Sequence, residues 1–463
     1  MMRTPERDVL RASHVCHHWR DVLTSSPRLW SELKCKGVAL TLHHLTRSHP
    51  VPINVIADVH SDVQAVIALG TATDRFRSLS LLLSPPDLSQ VFNKLVTPAP
   101  ALENLEVSSA LSREEMCKPD LPTTFLGGSM PTLKSLHLED VKAQLNPSDF
   151  PALKSLHLGQ TNIRLGSVVQ FPTLTCLTFV GTRARLFDMS ELFQVLKSAM
   201  LLEEVSVEFS GPTTPVPENQ AIVELPRMRK LSFSNTFGRF PKRLLSLLVL
   251  PSVKEVELRI ELPRGDPRIA QDFLPPQLEN SPPFFKVDDV ELRTFPTGSY
   301  IRSSGPGGVV SVFALFSCDR PGWFGSLKPI PIADVKNLTL GLDHPVRLFS
   351  RHRISESFRA MNEVRSLVIN QSIHSTLIMI NALSPPTSGS ILFPRLKSIT
   401  LDLFVQQSEI PRELENMARA RYQAGFPLSE VSLDSSFPLS SVKSLKPYVE
   451  CVKQGDINTP PNS

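Results

Sequence analysis

One short pattern recurs along this chain: an apolar residue, two variable residues, a second apolar residue, one variable residue and a third apolar residue. The segments PTLKSLHL at 131–138 and PALKSLHL at 151–158 are nearly identical, and PTLTCLTF at 172–179 follows one period later. We call the three apolar positions anchors. Alternation at the last two anchors is typical of a strand with one buried face, so each copy predicts one strand.

Weaker copies extend the pattern through the chain at intervals of roughly 20 to 32 residues, which bracket the period of short strand-and-helix repeats. Two poorer matches, Val287/Val290/Leu292 and Val310/Phe313/Leu315, fall in a long gap. The weaker copies have their anchors at Phe76/Leu79/Leu81, Leu102/Leu105/Val107, Leu202/Val205/Val207, Met228/Leu231/Phe233, Val253/Val256/Leu258, Val335/Leu338/Leu340, Val364/Leu367/Ile369, Leu396/Ile399/Leu401 and Leu428/Val431/Leu433.

Several stretches between the strands have helical periodicity. Strands that alternate with helices at this period predict an α/β fold, a right-handed solenoid with a parallel sheet along one wall, because parallel neighbours need a crossover connection. The predicted inward faces are Leu88, Val91, Phe92 and Leu95; Met189, Leu192, Phe193, Leu196 and Met200; and, in a helix that runs from Pro411, Leu414, Met417 and Ala418.

Many of the 41 prolines precede predicted strands or lie in connecting segments, where they sharpen corners without removing a sheet hydrogen bond. The richest stretch predicts an insertion or loop near 262–308, and Gly305–Gly308 is expected to be a turn. The predicted organisation is a helical segment at 1–36, a solenoid at 37–454 and a disordered tail at 455–463.

The pattern resembles that of leucine-rich-repeat proteins, which implies an irregular leucine-rich-repeat solenoid. The family consensus has an asparagine three residues after the last anchor, which hydrogen-bonds the corner. This chain departs from it, so its corners need other hydrogen-bond partners. The four positions hold Val141, Thr161, Thr182 and Thr236. Unrelated α/β strands that share the pattern are the alternative.

Residues 9–33 contain VCHHWR and, after several residues, PRLW. Helical spacing gives an apolar face of Leu10, Val15, Trp19, Val22 and Leu23. Pro27 is expected to end this helix, and Leu29 and Trp30 to close a small helical cluster. The motif resembles the carboxyl-terminal half of an F-box, and the segments at 40–59 and 74–81 resemble fungal F-box proteins.

In that family the F-box docks on a Skp-type adaptor bound to a cullin scaffold, and the downstream repeats capture the protein to be ubiquitinated. The resemblance implies a substrate-recognition adaptor of a cullin-type ubiquitin ligase. It also implies an adaptor-binding set of Leu10, Val15, Cys16, Trp19, Leu23, Pro27, Leu29 and Trp30. The F-box-like segment is expected to cap the solenoid.

The family's opening Leu-Pro helix has no counterpart before Val9, so either the motif continues upstream or docking is lost. If docking is lost, the chain is a leucine-rich-repeat interaction scaffold outside any ligase, and its F-box remnant only caps the solenoid. Trp19 and Trp30 would then merely fill the junction with the first repeat.

The sheet surface is the expected site for an unknown target protein. His137 and His157 recur between two inward leucines, so alternation turns them outward. The neighbouring Lys134 and Lys154, with Ser135 and Ser155, complete the predicted target-binding set.

The sequence contains no motif that indicates an enzyme or a metal-binding protein. Nucleophile-elbow, Walker, dinucleotide-binding and zinc-protease motifs are lacking, so no enzyme and no cofactor are expected. No distant ligand pair completes a zinc site with His14, Cys16, His17 or His18. The net charge is +4 without long like-charge runs, and the six cysteines form no CxxC pair. These features disfavour nucleic acid and disulfides. Without an apolar leader or a membrane-length segment, we expect an intracellular protein, cytoplasmic or nuclear, with no membrane partner.

Overall fold

The computed structural model describes residues 14–110, 118–160, 162–165, 170–181, 189–209, 221–235, 245–261, 287–295, 298–306, 308–315, 333–342, 355, 358–370, 373–386, 391–402 and 409–455. The chain divides into two compact units, Met1–Phe209 and Ser210–Ser463. Strands and helices alternate in both, and most strand pairs are parallel, so the fold is α/β. This architecture is compatible with a solenoid. Apart from Gly455, the predicted disordered tail lies outside the described residues.

The first unit is built on a parallel sheet whose strands pair in chain order. In its described part, β1, β2, β3, β4, β6, β8, β10 and β11 form this main sheet, and β5, β7 and β9 form a second parallel sheet. The strands are β1 (Glu32–Lys34), β2 (Ile53–Ala57), β3 (Phe76–Leu83), β4 (Asn104–Ser109), β5 (Asp120–Leu121), β6 (Ser135–Glu139), β7 (Lys142–Leu145), β8 (Ser155–Gly159), β9 (Asn162–Leu165), β10 (Cys176–Gly181) and β11 (Glu204–Phe209).

The predicted anchors of this unit lie opposite one another across the main sheet and are buried. Alternation puts both columns on the inner side of the sheet, and each buried leucine stabilises the fold by about 1.5 to 3 kcal/mol. One column is Leu79, Leu105, Leu136, Leu156, Leu177 and Val205; the other is Leu81, Val107, Leu138, Leu158, Phe179 and Val207.

The helices of the first unit are α1 (His17–Thr24), α2 (Val38–Arg47), α3 (Val63–Ala68), α4 (Pro85–Lys94) and α5 (Met189–Ser198). The predicted inward face of α4 is confirmed, since its four residues are all buried. This helix begins at a proline, and Ser84 caps it by accepting a hydrogen bond from the backbone N–H of Asp87. On α5 the prediction is confirmed for Leu192, Phe193 and Leu196. It is wrong for Met200, which lies beyond the helix end and is exposed.

Helix α2 has an unusual distribution of side chains. It buries Thr41 and His44, and it leaves Val38, Leu40 and Leu42 exposed. Two of its polar side chains therefore face the interior, and three of its apolar side chains face solvent.

A lysine supplies part of the hydrogen bonding at the corners that lack asparagine. Asp140 and Gln160 follow β6 and β8 with positive φ angles of 54° and 50°, which turn the chain sharply. Lys118 Nζ donates to the carbonyl oxygen of Gln160 at 2.6 Å and lies 3.2 Å from Asp140 Oδ1. Val141, at one asparagine position, is fully buried. Thr161, Thr182 and Thr236 lie outside the described residues.

The second unit has a longer set of strands, three of which are out of chain order. Its described helices are α6 (Ile373–Leu383), α7 (Glu409–Gln423) and α8 (Leu439–Leu445). The strands are β12 (Val223–Glu224), β13 (Lys230–Asn235), β14 (Leu248–Val249), β15 (Glu255–Glu261), β16 (Asp289–Phe295), β17 (Gly298–Gly305), β18 (Gly308–Leu315), β19 (Asn337–Leu342), β20 (Ser366–Ile369), β21 (Ser398–Leu401), β22 (Leu428–Leu433) and β23 (Val449–Gln454).

The three strands out of order form an antiparallel meander. Strand β15 pairs in parallel with β18, β18 and β16 each flank β17 in antiparallel fashion, and β16 pairs in parallel with β19. The two poorer pattern matches fall in β16 and β18. In β18 the predicted register is wrong, because Phe313 and Leu315 lie opposite Arg259 and Glu261 and not opposite the buried Val256 and Leu258. The antiparallel β17 between these two strands was not predicted. Residues 289–295 and 298–305 are thus strands, so the loop alternative is wrong for them. The insertion alternative remains a prediction.

Beyond the meander, β19 to β23 pair in chain order and in parallel. Helix α7 buries Leu414, Met417 and Ala418 as predicted, although it begins at Glu409, two residues before Pro411.

Helix α7 also buries Arg421 completely. Its guanidinium donates to the carbonyl oxygens of Leu383 at 3.2 Å, Leu392 at 3.1 Å and Phe393 at 2.9 Å. Leu383 is the last residue of α6, so Arg421 supplies a donor to a helix end that would otherwise have a free carbonyl. Burial lowers the pKa of Arg421 to about 10.

Candidate protein-binding surfaces

The first candidate surface lies on α1. Cys16 caps this helix, because its sulfur accepts a hydrogen bond from the backbone N–H of Trp19 at 3.5 Å. Trp19 and Val22 are three residues apart on α1, which places them on one side of the helix, and Val15 lies directly before the capping residue. The exposed fractions of Val15, Trp19 and Val22 are 71 %, 51 % and 40 %. We call these three residues the amino-terminal apolar surface.

Trp30 occupies a different environment. It is 5 % exposed, and its Nε1–H donates to the carbonyl oxygen of Leu23 at 2.8 Å. Its ring meets the His44 ring edge-on, with centroids 5.1 Å apart, and the Arg47 guanidinium lies 4.9 Å from the ring centroid. Trp30 and the buried Leu23 therefore attach α1 to the first unit.

The predicted adaptor-binding set is thus divided between exposed and buried positions. Leu29 is exposed, and Pro27 is half-buried at the start of a 3₁₀ helix, Pro27–Trp30, three residues after α1 ends. Leu10 lies outside the described residues. Of the two tryptophans, Trp30 is thus buried against the rest of the unit and Trp19 is exposed.

The second candidate surface is the outer face of the main sheet of the first unit. His137 and His157 lie directly opposite each other on β6 and β8, and their rings stack with centroids 4.0 Å apart. Both are half-buried, so the expectation that they face solvent holds only in part. Burial, followed by the neighbouring His137, lowers the pKa of His157. The two rings face each other, and Glu106 lies opposite His137 on β4, where its carboxylate can attract a cationic group.

The predicted lysines border this face. Lys134 lies 3.1 Å from Glu103, and Arg77 lies 3.4 Å from the same carboxylate. Lys154 is exposed on the next strand connection, and Ser135 and Ser155 are half-buried. The structure brings the lysines and histidines onto adjacent strands, but Glu103 partly neutralises the charge of Lys134.

A third surface was missed by sequence reasoning. It is the outer face of β19 to β22. Basic residues precede three of these strands, and polar or acidic residues follow three of them: Lys336, Arg365 and Lys397 precede β19, β20 and β21, and Asn370, Asp402 and Asp434 follow β20, β21 and β22. The same alternation that marked Lys134 and His137 applies to the later copies, and it would have indicated Arg365 and Asp402.

Neither a candidate metal site nor a membrane-spanning helix lies in the part of the chain that the structure describes. The described residues contain no group of three or more His, Cys, Asp or Glu side chains arranged to hold a metal ion. Within the same part of the chain, no helix has both the length and the apolar character needed to cross a membrane. No protein-family model matches the chain, and no match was found among curated proteins.

Proposed function

We propose that this chain is a substrate-recognition adaptor of a cullin-type ubiquitin ligase inside the cell. Its F-box-like segment would dock on a Skp-type adaptor, and its strands would form an irregular leucine-rich-repeat solenoid that binds a target protein. The observation that carries this proposal is the exposure of Trp19 within the amino-terminal apolar surface.

A half-exposed tryptophan between two exposed valines is costly to leave in water. An aromatic side chain of this size buries about 150 to 250 Å² when it is fully covered, so about 100 Å² of Trp19 is open to a partner. At about 25 cal/mol per Å², covering that area stabilises a complex by about 2.5 kcal/mol. Exposed apolar clusters of this kind mark interaction sites, and tryptophan is enriched among the residues that dominate binding energy.

The arrangement of the strands supports the solenoid part of the proposal. In the first unit, successive copies of the pattern put their anchors into two aligned, buried columns, and the residues between them face outward. A sheet of this kind gains core by adding strands, and its outer side chains are free to vary with the target.

The test is capture of the full chain by an immobilised Skp-type adaptor. The intact protein should bind, and Trp19→Ala should weaken binding roughly 70-fold, the equivalent of about 2.5 kcal/mol. Leu439→Ala is the control, because Leu439 is also apolar and is more exposed, at 72 %, but lies on α8 in the second unit. Circular dichroism would verify folding of each variant. If the intact chain is not captured, the ligase proposal is wrong.

A non-ligase interaction scaffold is the second candidate function. It is favoured by Trp30 and Leu33, which are buried where β1 forms an end of the main sheet among the described strands. An end strand needs a cover, and the segment that carries Trp30 supplies one. In that case the adaptor captures neither the intact chain nor the Trp19→Ala variant. Trp30→Ala then destabilises the first unit, whereas Trp19→Ala leaves the stability of that unit unchanged.

A further inference from the structure

The outer face of β19 to β22 has no charged residue in its middle. The inward anchors of these strands are buried, and the outward residues between them are half-buried. These outward residues lie opposite one another across the four strands: Thr339, Val368, Thr400 and Ser432.

The edge at which β19, β20 and β21 begin is rich in donors, whereas β22 carries Glu430 there, which lies 2.8 Å from Lys453. Arg365 and Lys397 are both exposed and immediately precede β20 and β21, and the Lys397 backbone N–H donates to the Arg365 carbonyl oxygen at 2.8 Å. Neither side chain has an acidic partner among the described residues. Their neighbour Lys336 differs, since it lies 2.7 Å from Asp288. Two adjacent cations are thus available to an external carboxylate.

The edge at which the strands end is rich in acceptors. Asn370, Asp402 and Asp434 follow β20, β21 and β22 directly, and the Asp402 backbone N–H continues the sheet by donating to the Ile369 carbonyl oxygen at 3.0 Å. The buried Asn370 Oδ1 has no donor among the described residues. Asp402, the next residue along this edge, is 7 % exposed.

The third member of this edge, Asp434, accepts the backbone N–H of Ser436 at 2.8 Å. Burial, followed by the nearby Asp434, raises the pKa of Asp402. A buried acceptor without a donor is unfavourable, and the pair of carboxylates adds repulsion. A cationic donor bound at this edge supplies the missing hydrogen bond and reduces the repulsion between the carboxylates of Asp402 and Asp434.

We propose that this face binds a segment of the target protein that carries a carboxylate and a cationic side chain about 16 Å apart, the length of five residues of strand from Lys397 to Asp402. The carboxylate contacts Arg365 and Lys397, and the cation contacts Asp402 and Asp434. The proposal rests on the target-binding part of the proposed function and gives the target its chemistry. Complementary charges at two separated points fix the direction of the bound segment.

The test compares two fluorescent peptides of the same composition, by anisotropy with the full chain. In the segregated peptide, two glutamates and two lysines are separated by four serine or threonine residues; in the alternating peptide, glutamates and lysines are mixed. The intact protein should bind the segregated peptide about tenfold more tightly, as expected for two exposed charge contacts. This preference should decrease at high salt.

Substitutions then locate the binding. The preference should disappear in Arg365→Gln/Lys397→Gln and in the isosteric Asp402→Asn. It should persist in Lys36→Gln/Lys94→Gln, two exposed lysines of the first unit that lie outside the predicted target-binding set. Equal affinity of the intact protein for the two peptides, or no binding of either, overturns the proposal.

An all-glutamate peptide is the third probe. If it binds as tightly as the segregated peptide, the face takes a purely acidic segment and the proposal is again overturned. Capture by the Skp-type adaptor is measured on the same variants. Because Arg365, Lys397 and Asp402 lie far in sequence from Trp19, loss of the peptide preference with retained capture separates failure of this inference from failure of the ligase proposal.

Discussion

Arg421 gives the sharpest test of what holds the second unit together. Its guanidinium is fully buried, has no described acidic partner and donates to three carbonyl oxygens that lie 28 to 38 residues away in sequence. Arg421→Met retains an unbranched side chain and removes all three donors. We expect the substitution to destabilise the contact between α7 and the segment that follows α6.

The magnitude follows from two opposing terms. Hydrogen bonds to a charged group contribute about 1.5 to 3 kcal/mol each, so three contribute about 5 to 9 kcal/mol. The opposing term is the burial of the charge, which lowers the pKa of Arg421 from 12.5 to about 10 and corresponds to about 3 kcal/mol. Methionine removes both terms, so we expect a net loss of about 2 to 6 kcal/mol.

Urea unfolding of the full chain, combined with hydrogen exchange of peptides from α6 and α7, measures this loss. Arg419→Met is the matched control, because Arg419 lies on the same helix, is half-buried and makes one hydrogen bond, to Asn416 at 2.6 Å. Its loss should be about 1 kcal/mol or less. If Arg421→Met were as stable as Arg419→Met, the three carbonyls would not depend on the guanidinium, and the reasoning would be refuted.

Burial lowers the pKa of His157 in the folded protein. The unfolded chain, with a histidine pKa near 6.5, therefore binds more protons than the folded protein. We expect the free energy of unfolding to decrease as the pH falls below about 6.5, and to decrease less in His157→Gln than in the intact protein. Identical pH dependence of the two proteins in urea would contradict this. Lys118→Met removes the donor to the Gln160 carbonyl and should cost about 1 to 3 kcal/mol, detected as faster hydrogen exchange at 140–160; unchanged exchange would show that the corner does not need the lysine. Burial raises the pKa of Cys35 to about 12, so its alkylation at pH 8 should be at least about 100-fold slower than that of the exposed Cys16, and comparable rates by mass spectrometry would count against its burial.

The strands could be predicted because their signal is local. Two apolar residues spaced by two, such as Leu136 and Leu138, identify a strand with one buried face wherever they occur. The helix α4 could be predicted for the same reason, since its inward residues recur at helical spacing and Pro85 marks its start. In both cases the spacing of apolar residues in the sequence equals the spacing of side chains along one face of the strand or helix, so the pattern identifies the buried face.

The pairing direction of the strands and the burial of individual side chains could not be predicted, because both depend on contacts between residues that are distant in sequence. The spacing of Val290 and Leu292 predicts a strand, but it contains no information about which strand lies beside it. Likewise, Trp19 and Trp30 belong to one motif, and only the packing of Trp30 against His44 distinguishes the buried ring from the exposed one. Helix α2 buries His44 for the same tertiary reason, against the preference that its leucines suggest.

The meander of β16, β17 and β18 has a consequence for synthesis on the ribosome. In the described part of Met1–Phe209, each strand of the main sheet pairs with the one before it, so that sheet can grow as the chain emerges. In the second unit, Glu255 of β15 pairs with Val309 of β18, which closes a loop of about fifty residues. Strand β15 must therefore wait for the whole meander to be synthesised, and we expect the nascent second unit to expose an unpaired strand edge, a surface on which chaperones act, for longer than the first.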